Sequence, residues 1–125
     1  MRKIILLIIA AFLFGFESIP ATVENVKKLQ KEHILIVDIR TPGEWMATGV
    51  IPSALKDTFF DEYGRINPYF LQKLKGSKKF AIICRTGHRS KIAAEVLENK
   101  GFEVVDLNGG MFNLMKDMLH KEFSK

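Results

Sequence analysis

Short apolar runs alternate with amphipathic stretches along this chain, and their spacing predicts the elements. Thr22 can cap a helix in which Val23, Val26 and Leu29 share one face and Lys27, Lys28 and Lys31 lie opposite. Ile34-Leu35-Ile36-Val37 follows without alternation, the mark of a strand covered on both faces. Gly43, Gly49 and Pro52 punctuate an irregular stretch, with a short strand through Ala54 and Leu55. Asn67-Pro68 joins an N-cap to a proline at the first helical position and opens a short helix through Leu71 and Leu74. Phe80-Ala81-Ile82-Ile83 is a second buried strand and ends on Cys84. A helix resumes at Ser90, with Ile92, Ala93, Val96 and Leu97 on one face and Gly101 as its left-handed stop. Residues 102–107 form a third strand. Gly109-Gly110 leads into a last helix with Leu114, Met115, Met118 and Leu119 on one side. Strand followed by helix, repeated, predicts an α/β fold: a parallel sheet with helices on both faces.

The first residues follow a different pattern. Arg2 and Lys3 precede 13 apolar positions over residues 4–16, and Glu17 ends the run. That layout is an export signal, and it falls short of the roughly 20 residues a membrane-spanning helix needs. No clean small-x-small triplet marks the cleavage point, so Ala21 and Ser18 both qualify and an uncleaved anchor stays open. The division expected is a signal over residues 1–21 and one domain over 22–125, exported to the periplasm of a bacterium. The membrane is a partner only through an uncleaved signal.

Composition narrows the chemistry. With 125 residues, 47% apolar and 26% charged, the chain has the core of one domain and no disordered or low-complexity tract. A net charge of +5 favours anionic partners. The loose cluster Lys73, Lys75, Lys78 and Lys79 has no interleaved aromatic residues, which argues against nucleic acid. Cys84, the single cysteine, cannot close an intrachain disulfide or build a zinc ribbon or iron–sulfur site. In an oxidising compartment a lone thiol is a liability unless it is used.

Cys84 sits where open parallel sheets bind ligands, outside the carboxyl end of a strand and before a helix N-terminus. In Cys84-Arg85-Thr86-Gly87-His88-Arg89-Ser90, Gly87 permits a positive φ and backbone N–H groups can converge on the sulfur. Arg85, Arg89 and His88 add positive charge, with His88 in the ordinary role of a hydrogen-bond donor. Each feature favours thiolate over thiol and predicts a nucleophile.

The chain resembles the rhodanese family of sulfurtransferases. Cys84-Arg85-Thr86-Gly87-His88-Arg89 followed by Ser90 is similar to the family's six-residue active loop. A second match runs Asp38-Ile39-Arg40-Thr41-Pro42-x-Glu44-Trp45, then Gly49-x-Ile51-Pro52-x-Ala54, and a third is Leu107-x-Gly109-Gly110-Met111. Val50 and Ser53 stand where the family usually has histidine and glycine, and its frequent tryptophan after the Gly-Gly pair is absent. The resemblance implies a rhodanese-like sheet of about five parallel strands. It implies that Cys84 takes a sulfur from thiosulfate or a similar small anionic donor as a persulfide and passes it to a thiol or protein acceptor. No metal or organic cofactor is implied. Arg85 and Arg89 would attract the donor, Thr86, Gly87, His88 and Ser90 complete the loop, and an Asp38–Arg40 ion pair would brace it.

Two other readings remain open. One is a persulfide-carrying module that serves a protein partner with little free turnover. The other is a cysteine phosphatase-like enzyme. Its signature carries an arginine six positions after the cysteine, where this chain has Ser90.

Overall fold

A computed structural model describes residues 15–74, 76 and 78–123; most of the expected leader, residues 1–14, lies outside them. The chain runs β1 (Glu17–Pro20), α1 (Val23–Lys31), β2 (Leu35–Asp38), α2 (Pro42–Thr48), β3 (Leu55–Lys56) and α3 (Phe70–Lys73). It continues through β4 (Lys79–Ile83), α4 (His88–Asn99), β5 (Glu103–Asn108) and α5 (Gly110–Phe123). The five strands form one parallel sheet in the order β1-β5-β4-β2-β3, with β4 in the middle. The α/β fold with a five-stranded parallel sheet is the one the pattern and the resemblance predict.

The two faces of the sheet explain why the central strands read as unbroken apolar runs. Val37, Phe80, Ile82 and Val104 pack on one side with Phe70, Leu74, Ala93, Ala94 and Leu97 of the α3 and α4 layer. Ile36, Ala81, Ile83, Val105 and Leu107 pack on the other with Val26, Leu29, Met111 and Leu114 of α1 and α5. Each large aliphatic or aromatic side chain buried this way contributes about 1.5–3 kcal/mol.

Five elements differ from the expectation, α3 among them, since it begins at Phe70 and not at Pro68. Residues 42–48, read as irregular because of their glycines, form α2. Thr41-Pro42-x-Glu44 is its start signal, with proline in the first turn and Glu44 Oε1 accepting from the Thr41 N–H at 3.4 Å. Residues 17–20, placed in the leader, form the edge strand β1, paired from Glu17 opposite Val105 to Pro20 opposite Asn108. Helix α4 begins at His88, two residues early, and buries Ser90, Ala93, Ala94 and Leu97 while Ile92 is exposed. Of the stripe expected on α5, Leu114 is buried while Met115, Met118 and Leu119 face solvent, and Met111, outside that stripe, is buried instead. No described helix is long and apolar enough to cross a membrane.

Candidate active site

Cys84 follows the last residue of the middle strand, and Arg85-Thr86-Gly87 turns the chain into α4. Its side chain is fully buried. The backbone N–H groups of Gly87 and Ser90 donate to Sγ at 3.0 and 3.4 Å. Gly87 has φ +94°, and a Cβ there would lie 2.8 Å from the Gly109 nitrogen, so the turn requires glycine for conformation and for space.

The Gly109-Gly110-Met111 segment holds this loop from behind. A Cβ at Gly110 would lie 2.6 Å from the carbonyl oxygens of both Cys84 and Arg85. That close approach lets the N–H groups of Met111 and Phe112 donate to the same two carbonyls at 2.8 and 2.9 Å. First-turn N–H groups of a helix have no intrahelical partner, and two of those of α5 are satisfied by the backbone of the cysteine loop.

Arg89 is committed to Glu44. Its guanidinium donates to Glu44 Oε1 and Oε2 at 2.8 and 2.7 Å. That hydrogen bond, outweighing desolvation, holds the Glu44 carboxyl at about 2. The same contact raises Arg89 above its usual range. Arg85, Thr86 and His88 are exposed. Of the loop's two arginines, expected together at the donor, Arg85 is the one left facing solvent. It lines a cavity of about 380 Å³ beside the loop with Arg40, Gly43, Glu44, Met111 and Phe112.

Asp38 and Arg40 form the expected ion pair at 2.7 Å, with both side chains 1% exposed. Arg40 also donates to Thr48 Oγ1 at 2.8 Å and to the Gly49 carbonyl at 2.9 Å. The pair therefore braces the end of α2, and its link to the cysteine loop runs through Glu44 and Arg89.

Ser90 sits under the sulfur. Cys84 Sγ donates to Ser90 Oγ at 3.5 Å, and Ser90 Oγ donates to Asp106 Oδ1 at 2.5 Å. Asp106 Oδ2 accepts from Ser18 Oγ of β1 at 3.3 Å. Sequence reasoning named Ser90 and missed Asp106 and Ser18. The signal was present for Asp106, a carboxylate inside the buried run Val104-Val105-Asp106-Leu107. Among the described residues, no group of three or more His, Cys, Asp or Glu side chains is placed to hold a metal ion.

A buried sulfur receiving backbone N–H donors thus stands at the carboxyl end of a parallel strand, where the sequence placed its candidate nucleophile. Residues 22–117 match the Rhodanese-like domain family, and the chain belongs to it. It is 36% identical over 81 residues to a sulfurtransferase from Allochromatium vinosum, covering 64% of this chain and 70% of that protein. It is 35% identical over 98 residues, 77% of this chain, to the tRNA uridine(34) hydroxylase of Pelagibacter ubique, of whose length it spans 31%. The crystal structure of a rhodanese-like domain protein from Staphylococcus aureus superposes with a TM-score of 0.59 at 29% identity, covering 78% of this chain and 90% of that one. The family and the sulfurtransferase relative support a sulfurtransferase.

Proposed function

We propose that the protein moves a sulfane sulfur from thiosulfate, or a similar small anionic donor, to a thiophilic acceptor through a persulfide on Cys84. The observation that carries this reading is the Cys84 sulfur itself, held by the Gly87 and Ser90 N–H groups under the loop. The thiolate attacks the donor's outer sulfur. A new S–S bond forms, the donor's own S–S bond breaks, and sulfite leaves with the electron pair. Cyanide, a small thiol or a protein thiol then takes the outer sulfur and returns Cys84 as thiolate. Atoms and electrons balance without a cofactor.

Preorganised N–H donors favour the anionic sulfur at each stage. Arg85, exposed at the loop, supplies the charge that draws the dianionic donor. Arg89 instead holds the start of α4 through Glu44. An exported setting is part of the proposal and rests on Arg2, Lys3 and the apolar run over residues 4–16.

The test is thiocyanate production from thiosulfate and cyanide, with intact mass measured after thiosulfate treatment. Wild type gains the mass of one sulfur atom, and Cys84→Ser gains nothing and makes no thiocyanate. Wild type without the adduct, or a Cys84→Ser variant that turns over, overturns the mechanism. An adduct that passes slowly to cyanide and quickly to a co-purified protein identifies a carrier instead.

A further inference from the structure

The cysteine is joined to a second acid that this mechanism does not use. Sγ of Cys84, Oγ of Ser90 and Oδ1 of Asp106 form an unbroken hydrogen-bonded row, and all three residues are fully buried. A serine hydroxyl has one proton to donate and lone pairs to accept with. While Ser90 donates to Asp106 it can therefore receive the thiol proton. The carboxylate comes from the sheet and is independent of the loop. It stands on β5 opposite Ile82 of β4 and Ser18 of β1, and the Ser18 hydroxyl holds its other oxygen.

Few charges reach this place. From α4, Lys91 acts on Asp106 at long range, and Arg89 acts on Cys84 while bound to Glu44. Burial dominates and pushes the Asp106 carboxyl above the usual carboxylate range, against the hydrogen bonds from Ser90 and Ser18. A thiolate and a carboxylate separated by one hydroxyl repel each other, so the stable anionic forms carry one negative charge on one of the two acids.

We propose that Asp106 is the proton acceptor for Cys84, reached through the Ser90 hydroxyl, so that thiol and carboxyl hold one proton between them. The S–H bond breaks as a new O–H bond forms at Ser90, and the former Ser90 proton ends on Asp106 Oδ1. The products are a thiolate, an unchanged serine and a neutral carboxylic acid. One negative charge moves from the sheet to the loop, and none is created. Asp106 then presents no charge to the anionic donor at the moment of attack. It acts through Ser90 and touches no substrate, which makes it a positioning residue. The inference rests on Cys84 being the nucleophile of sulfur transfer.

Alkylation of Cys84 by iodoacetamide, followed in the full chain from acid to alkaline pH, tests the relay. Two acids sharing a proton titrate in two steps, and between them the thiolate fraction is constant. The wild-type rate therefore shows a plateau before its final rise. In Asp106→Asn the plateau is gone and the rate falls about tenfold per pH unit on the acid side, and in Ser90→Ala the plateau changes height, because the hydroxyl that bonds both acids is lost. Asparagine keeps the shape of Asp106 and one acceptor oxygen for Ser90 while losing the titrating proton and the second acceptor, so a purely bracing role lowers stability and leaves the shape of the profile as in wild type. Superimposable profiles for wild type and Asp106→Asn overturn the proposal, as do superimposable profiles for wild type and Ser90→Ala. Should Asp106→Asn fail to fold by circular dichroism, Ser90→Ala decides alone. Iodoacetamide reads the proton and not the sulfur. A persulfide adduct with superimposable profiles removes the relay and leaves sulfur transfer standing, and a plateau without an adduct does the reverse.

Discussion

Glu44 and Arg89 meet in a two-bonded fork, 2.8 and 2.7 Å, that ties the first turn of α2 to the first turn of α4. The Glu44 carboxyl is at about 2 in the folded protein against an ordinary 4.5, so the unfolded chain binds its proton more tightly. The stabilisation is fully present above pH 4.5 and is lost as pH falls toward 2. Both side chains are partly exposed, 23% and 31%, and solvent screening limits the effect to about 1 kcal/mol. Glu44→Gln is expected to be less stable than wild type by that amount at neutral pH, with the difference vanishing in acid. Denaturant midpoints across the acid range measure it.

The clamp at Gly110 predicts a cost for a single methyl group. In Gly110→Ala the new Cβ strikes two carbonyl oxygens of the cysteine loop, and the positive φ of +63° adds strain. Either the loop or the start of α5 moves. Stability falls by about 1–3 kcal/mol, and thiocyanate production falls with it because the N–H groups on Sγ lose their placement. Unchanged activity at reduced stability would show that the loop holds its shape without α5.

Arg40→Ala leaves the Asp38 carboxylate buried without its guanidinium. Removing one partner of a buried pair costs about 3–5 kcal/mol. The loss also releases Thr48 and the Gly49 carbonyl at the end of α2. Equilibrium unfolding of the variant is expected to show that loss. A cost near zero would mean that water replaces the guanidinium.

Removing β1 tests whether residues 17–20 belong to the folded domain or to the expected leader. A chain beginning at Gly15 keeps the strand; one beginning at Thr22 exposes the edge of β5 and loses the Ser18 hydroxyl from Asp106. The shorter chain is expected to melt at the lower temperature and to aggregate more readily. Equal melting temperatures would show that the edge strand contributes nothing.

The order of strands and helices was legible because central strands in a covered parallel sheet are apolar on both faces, as Ile34-Leu35-Ile36-Val37 and Phe80-Ala81-Ile82-Ile83 show. The place of the candidate nucleophile was legible because Cys84 stands between such a strand and a Gly-containing turn. Helix α2 was lost to its glycines although Thr41-Pro42-x-Glu44 announced it. The edge strand β1 was lost because Glu-Ser-Ile-Pro carries little apolar surface and gets its pairing from β5.

The sequence by itself determined the fold class, the place of Cys84 and the loop that surrounds it, since these follow from hydrophobic period and local turn chemistry. Only the tertiary structure decided what each charged side chain does. It turned Arg89 toward Glu44 and left Arg85 in solvent, directed the Asp38–Arg40 pair to the end of α2, and brought Asp106 beneath Cys84 through Ser90. The reason is physical: backbone pattern is set within a few residues, whereas an ion pair or a buried hydrogen-bond row depends on which distant side chains the sheet register places face to face.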